Sequence, residues 1–345
     1  MSLERLRNIL WPVFLPLSML WAMAMIVRRR VWGRRRFPAA SVPVVCFGNV
    51  HDGGTGKTPL VLACAKRFAS YRPVVVSRGY RGTASSRVES VDAKAADAAA
   101  RYGDEPVLLA SRGVPVVVGR DRKRAIAHAV SQHEAGWALL DDGFQRLSVP
   151  KTFAAVVVPA DRSPWSAWCW PAGSLREPLS ALRHADAIVV TAWPGEEKGA
   201  LVWERLVKVV APKIPVYRAT GRVEGLVDPR SGAAVPATGP VAALCGIGSP
   251  ERFFRRLRHK TAVVHEAAFP DHHVFREGEL RHFVQVAESA GAKAIVTTAK
   301  DWPRLKTMTR YIALPILVLE IGYEVPETLW QDLERRVAER LPPSP

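Results

Sequence analysis

Cysteine is scarce: the 345 residues hold four, Cys46, Cys64, Cys169 and Cys245, with no Cys-x-x-Cys pair among them. Such spacing excludes a zinc knuckle and a disulfide framework and points to a reducing compartment. Acidic residues are also in deficit, 32 against 49 lysines and arginines, which leaves a net charge of +17. An excess of that size calls for an anionic partner, with nucleic acid and a membrane surface as the two leading classes. There is no acidic or low-complexity tail and no repeat at a fixed period, so array architectures are excluded. What is present is ample core material, 48% hydrophobic residues, in a chain long enough for two domains.

One uncharged run stands out for its large apolar side chains. Ile9 to Val27 is 19 residues rich in Leu, Met and Trp. The first 36 residues hold eight arginines, on both sides of the run, against the single acid Glu4. A spanning helix needs roughly 20 apolar residues, so the length just suffices. Pro12 and Pro16 are expected to break its first half and leave Leu17 to Val27 helical. A cleaved signal peptide is disfavoured because no small-residue cleavage site follows and the arginine cluster comes after the run. A spanning anchor and a helix lying in the interface both remain, each with Trp11, Trp21 and Trp32 at headgroup level. A buried helix of a soluble protein is the plain alternative. The arginines after the run should stay on the cytoplasmic side.

The second informative stretch runs from Cys46 to Pro59. Val42 to Phe47 reads as a buried strand, and Leu60 to Phe68 has the apolar spacing of a helix. Between them lie Gly53, Gly54, Thr55, Gly56, Lys57 and Thr58. A strand, a glycine-rich turn and a helix start form a phosphate cradle, because free backbone N–H groups and the positive end of the helix dipole face an anion. Lys57 would reach the β- and γ-phosphates, and the Thr58 hydroxyl would ligate Mg²⁺. The strict spacing asks for glycine where this chain has His51. Asp52 stands where the DNA-partitioning and division-site ATPases carry a lysine, which argues against that class.

From Phe37 onward strands and helices alternate, with strands expected at Val42–Phe47, Val74–Ser77, Val114–Val118, Trp137–Leu140, Ala154–Val158 and Ala187–Thr191. The expected fold class is α/β: a P-loop NTPase-like parallel sheet flanked by helices, with a smaller second α/β domain and an N-terminal hydrophobic membrane helix. The expected divisions are residues 1–36, the membrane helix; 37–216, the P-loop core; 217–239, a two-stranded linker; and 240–345, a domain closing the cleft. Ligands in such sheets sit beyond the carboxyl ends of the strands, where several polar clusters fall. Arg78 and Arg81 follow the second strand. Asp104 and Glu105 open a helix, where Asp104 can serve as an N-cap or, beside a phosphate loop, as a general base. Arg120 follows another strand. Trp137 to Leu140 ends in Asp141-Asp142, a Walker B arrangement in which two adjacent carboxylates call for a cation. In the second half, Asp271-His272-His273 suits a histidine tuning a catalytic carboxylate across the cleft better than a metal site.

Taken in order, these pieces resemble one family, the tetraacyldisaccharide 4'-kinases of lipid A synthesis in Gram-negative bacteria. The resemblance runs over nearly the whole chain. It includes Gly48-Asn49 before the phosphate loop, Ser77-Arg78-Gly79-Tyr80, Gly103 to Pro106, Asp141 to Gln145, Leu175-Arg176-Glu177-Pro178, Gly246 to Phe253, Phe269 to His273 and Lys300-Asp301. It implies transfer of the ATP γ-phosphate to the 4'-hydroxyl of an acylated glucosamine disaccharide 1-phosphate, giving lipid IVA. The implied cofactors are ATP and Mg²⁺. Asn49 and Gly53 to Thr58 would hold nucleotide, and Arg78, Arg120 and Arg176 would bind phosphate. Thr58, Asp141 and Asp142 would hold the metal, and Asp104, His272 and Lys57 would carry the chemistry. It further implies a monomer at the cytoplasmic leaflet of the inner membrane that binds no nucleic acid. The chain departs from the family at Arg146, usually His, and Ala299, usually Glu. The alternative class is a basic P-loop ATPase switch that binds nucleic acid or a protein partner.

Overall fold

The computed structural model describes residues 3–164, 167–236 and 239–340, with side chains from Pro12 to Glu339 within them. Ala237 and Thr238 of the expected linker, Leu341 of the expected last helix and the side chain of Trp11 lie outside the described residues.

The first helix, α1 (Leu3–Gly33), runs through both Pro12 and Pro16, contrary to the expected break. The prolines are one turn apart and exposed, so their two missing donors fall on one outward face, where the loss bends a helix without ending it. The chain then alternates: β1 (Val44–Asn49), α2 (Lys57–Arg67), β2 (Pro73–Ser77), β3 (Glu89–Ser90), α3 (Ala98–Tyr102), α4 (Asp104–Ser111), β4 (Val116–Val118), α5 (Arg122–His133), β5 (Trp137–Asp141), β6 (Phe153–Pro159), β7 (Ala187–Ala192) and α6 (Glu197–Val210). The rest comprises β8 (Val216–Val227), β9 (Ala234–Val235), β10 (Val241–Cys245), α7 (Pro250–Arg258), β11 (Val263–Ala268), α8 (Glu277–Ser289), β12 (Ala294–Thr298), α9 (Trp302–Leu305), β13 (Ile316–Glu324) and α10 (Glu327–Arg340).

The fold is α/β, with the thirteen strands among the described residues in one continuous sheet, ordered β11-β10-β12-β13-β8-β7-β6-β1-β5-β2-β4-β3, and β9 added to β8. In β1 the side chains alternate between two cores: Val44 and Cys46 join one with α5 and α6, while Val45 and Phe47 join the other with α2. Period-two alternation within fully apolar strands is what a sheet covered on both faces requires.

Strand β8 joins the two halves. Its start, Val216–Thr220, runs parallel to β7, and its end, Thr220–Val227, runs antiparallel to β13. Because β10, β12 and β13 are mutually parallel, the carboxyl ends of this second set point back toward those of the first. The space beyond the strand ends is therefore shared by both halves. The last helix then returns: Leu329, Trp330, Leu333 and Val337 of α10 pack into the core around Phe47, with the Phe47 and Trp330 rings 6.4 Å apart.

Gly48 fixes how β1 passes the segment after β5, since a Cβ there would stand 2.4 Å from Phe144 Cβ and 3.0 Å from its backbone nitrogen. Gly48→Ala is expected to destabilise the protein by about 1–3 kcal/mol, the usual cost of overpacking a dense core. Urea unfolding measures it, and an unchanged midpoint would show that the Phe144 segment yields freely.

Candidate active site

The phosphate loop leaves β1 and enters α2, whose first residue is Lys57; Gly56 caps it with φ 80°. A left-handed residue there suits glycine, and no Cβ fits, because one would lie 2.2 Å from the Tyr323 hydroxyl. Inside the loop, Asn49 Nδ2 donates to Thr55 Oγ1 at 2.8 Å, and Gln145 Nε2 donates to the Asn49 carbonyl at 2.7 Å. Asn49 is fully buried and so holds the loop's shape. His51, at the position the strict motif gives to glycine, is buried with its ring 5.5 Å from Trp203. Burial, with help from Arg162, pulls its pKa down to about 4. It is a neutral packing group.

Strands β1 and β5 are parallel neighbours, Phe47 beside Asp141, so the loop and the acid pair leave the same sheet edge. Lys57 Nζ lies 3.4 Å from Asp142 Oδ1, and Arg176 Nη1 lies 2.8 Å from Asp142 Oδ2. Burial alone would push Asp142 up, but Lys57 and Arg176 outweigh it and hold the carboxyl below its ordinary range. Asp141 differs. Both its oxygens are buried without a hydrogen-bond partner. Burial, with Glu105 and Asp142 adding to it against the pull of Lys57, raises its pKa to about 7. Among the described residues, two orphaned carboxylate oxygens beside an anionic Asp142, in a cleft that Thr58 also lines, offer hard-oxygen donors. That set fits a divalent cation such as Mg²⁺.

Across the cleft stands Asp104, the first residue of α4. Its helix is capped by Gly103 with no side-chain hydrogen bond, and the carboxylate instead accepts from His272 Nδ1 at 2.8 Å, with Arg304 Nε 3.5 Å away. His272 has φ 61°, a conformation uncommon for a side-chain-bearing residue. The loop carrying it is anchored: Arg304 donates to the carbonyls of His273 and Gly246, and Asp301 accepts from Arg304 and from the Gly246 N–H. Lys300 pairs with Glu105 and holds it below its ordinary pKa against burial. His273 turns to Glu279, 2.8 Å away.

The central groups line one cleft of about 830 Å³. It holds Gly53 to Thr58, Arg78, Asp104, Asp141, Asp142, Arg176 and His272. Arg120 is not there: it is exposed and outside the lining. Asp121 caps α5 by accepting from the N–H groups of Lys123 and Arg124, so the chain turns just after Arg120, and Arg122 in the first helical turn points inward. Arg122 is 3% exposed, and burial with Arg146 beside it lowers its pKa to about 10. Sequence reasoning assigned no role to Arg252, whose guanidinium reaches the Gly54 carbonyl at 3.1 Å and Asp161 at 2.7 Å. Nor did it assign one to the Lys300–Glu105 pair or Arg304. Arg252 and Lys300 sit in stretches that stood out in the sequence; Arg304 had no signal.

Comparison with known proteins gives a consistent result. A protein-family model described as tetraacyldisaccharide-1-P 4'-kinase (LpxK) matches residues 10–338. The tetraacyldisaccharide 4'-kinase of Bradyrhizobium sp. (strain ORS 278) is 41% identical over 84% of this chain and 82% of its own length. That of Desulfotalea psychrophila is 34% identical over 89% and 92%. The crystal structure of LpxK from Aquifex aeolicus in complex with ATP superposes with a TM-score of 0.74 at 25% identity, covering 95% of this chain and 99% of that one.

The raised pKa of Asp141 gives a signed test. Below about pH 4 the group is protonated folded or unfolded and costs nothing. As pH rises from its ordinary 3.8 to about 7, the unfolded chain releases the proton and the folded one keeps it, so stability falls. Without nucleotide or divalent cation, Asp141→Asn should therefore be more stable than the parent by a few kcal/mol at pH 8. The gap should close toward pH 4 in denaturant titrations at the two pH values. A gap that did not depend on pH would contradict the assignment.

Proposed function

Starting from a chain that belongs to the tetraacyldisaccharide 4'-kinase family, we propose how this cleft performs that family's reaction. The chain is a lipid kinase that transfers the γ-phosphoryl group of ATP to the 4'-hydroxyl of the acylated disaccharide 1-phosphate and forms lipid IVA. The basic P-loop switch is not favoured, since family and relatives are kinases. Phosphoryl transfer asks for positioning and charge stabilisation more than covalent chemistry. The loop from Gly53 to Thr58 holds the triphosphate, with Lys57 on its β- and γ-oxygens. Thr58, Asp141 and Asp142 would hold Mg²⁺, which when bound neutralises phosphate charge and leaves the γ-phosphorus open to attack. Asp104 accepts the proton of the attacking hydroxyl, the new O–P bond forms, and ADP leaves. His272 and Arg304 keep the Asp104 carboxylate aimed into the cleft. Arg78 and Arg176 are placed for phosphate groups, and Arg122 takes the place first given to Arg120.

The observation that carries this reading is the contact of Lys57 with Asp142 in one cleft with the Asp104–His272 pair. Residues 37–216 supply the nucleotide side, and 240–345 supply His272, Lys300 and Arg252, so both parts of the chain build the site. The helix α1 and its exposed arginines suit association with the cytoplasmic face of the inner membrane, where the acylated substrate resides. The test is label transfer from radioactive ATP to the disaccharide lipid in the presence of Mg²⁺. In that assay Asp104→Ala should lower kcat by about 10²–10⁴-fold, the range for a lost general base, with the KM for ATP nearly unchanged. Unaltered turnover would remove Asp104 from the proton-accepting role.

A further inference from the structure

Helix α1 has two unlike long faces. One carries Val13, Leu17, Leu20, Val27 and Val31, each between 47% and 70% exposed. Their spacing keeps them on a single stripe, about 27 Å long at 1.5 Å per residue. The opposite face is fastened to the protein body. Ser18 Oγ donates to the Cys169 carbonyl at 2.6 Å, and Ala22 packs on the core of the first half. Arg29 pairs with the buried Glu177 and lies over the Phe144 ring, 4.3 Å from its centroid. The body therefore accompanies this helix from Ser18 to Arg29.

Beside it lies a compact turn, residues 168–176, closed by bonds from the Trp170 N–H to the Leu175 carbonyl and from the Leu175 N–H to the Trp168 carbonyl, each 2.9 Å. Its entering arm bears Trp168, 38% exposed, and Trp170, 56% exposed. Trp170 sits against Trp21 with ring centroids 5.7 Å apart, and Trp21 Nε1 donates to the Arg176 carbonyl at 3.0 Å. Exposed Arg30, Arg34, Arg35 and Arg36 follow at the end of the helix.

We propose that α1 lies in the plane of the membrane interface with its stripe toward the acyl chains, and that the turn 168–176 is a second membrane contact, Trp168 and Trp170 seated at headgroup level. The proposal rests on the membrane reading of the preceding section and deepens it. A helix crossing the bilayer over this stretch would drag the body fastened at Ser18 to Arg29 into hydrocarbon, where its charged surface loses water. An in-plane helix exposes only the stripe. Tryptophans favour the interface because their rings are apolar and their N–H groups polar, and the arginine cluster matches anionic headgroups. The second contact also leads inward. The Asp52 N–H donates to the Ser174 carbonyl and the Arg176 N–H to the Val50 carbonyl, both at 2.7 Å, so the turn that meets lipid also braces the phosphate loop and carries Arg176 to Asp142.

Depth measurement on the full-length chain tests this. The four native cysteines are buried, so single cysteines at Val13, Leu20, Val27, Val31 and Trp170 can be labelled selectively with an environment-sensitive fluorophore. Trp168→Cys replaces Trp170→Cys should the latter fold poorly. The probes are vesicles of phosphatidylcholine with a minority of phosphatidylglycerol, carrying nitroxide quenchers at shallow or deep positions. Expected are a several-fold rise in emission at all five sites, one shallow depth along the stripe, and a headgroup depth for residue 170. Depth changing steadily from Val13 to Val31 through the midplane overturns the in-plane helix. A response at Leu20 with none at 170 or 168 overturns the second contact while membrane association stands. Silence at every site, without co-sedimentation with the vesicles, removes the membrane reading itself. Signals that rise with protein concentration in the absence of vesicles make a second copy of the chain the occupant and overturn the proposal.

Discussion

The structure depends on one adjacency: β1 and β5 are parallel neighbours, so the phosphate loop and the acid pair emerge at the same sheet edge with Lys57 3.4 Å from Asp142. Charges buried this closely are tolerable only when each is matched. The cleft meets that demand nearly throughout, with Asp142 between Lys57 and Arg176, Glu105 against Lys300, and Asp104 against His272 and Arg304. Asp141 alone among these carboxylates lacks a hydrogen-bond partner. An array matched except at one oxygen-rich position agrees with the metal role proposed for Asp141, and such a field would cost no reorganisation when phosphate charge develops.

The second half supplies the partners that the first lacks. Its strands are inverted relative to the first set through the β8–β13 pairing, which turns its loops with His272 and Lys300 toward the nucleotide side. Arg252 adds a direct grip on the Gly54 carbonyl and on Asp161. The cleft is thus a property of both halves, and the continuous sheet explains how residues 168 positions apart, Asp104 and His272, meet at 2.8 Å.

Much of this was legible in the chain. Fully apolar strands followed by glycine turns announce a parallel sheet, and a lysine at a helix start with an Asp-Asp strand end announces two groups that the fold brings into one cleft. Local pattern carries those statements because each concerns a few consecutive residues. Pairings between distant segments leave no such trace: the joining of β8 to β13, the return of α10 to the first core, and the pairing of Arg29 with Glu177 are set by tertiary packing. The exchange of Arg120 for Arg122 is subtler, since it depends on Asp121 becoming a helix cap and reversing which arginine faces inward. The passage of α1 through two prolines shows the opposite failure, a local rule overridden because the lost hydrogen bonds lie on an outward face.

The polypeptide passes between the halves twice, outward along β8 and back where β13 hands over to α10. Two antiparallel straps side by side would yield most readily to bending across their width, so any motion of the second half would take the form of rocking about one axis. Tyr323 lies on the returning strap with its hydroxyl against Gly56, where no methyl group would fit. Rocking would then press or relieve the start of α2, making the returning strap a lever on that loop rather than a passive tether.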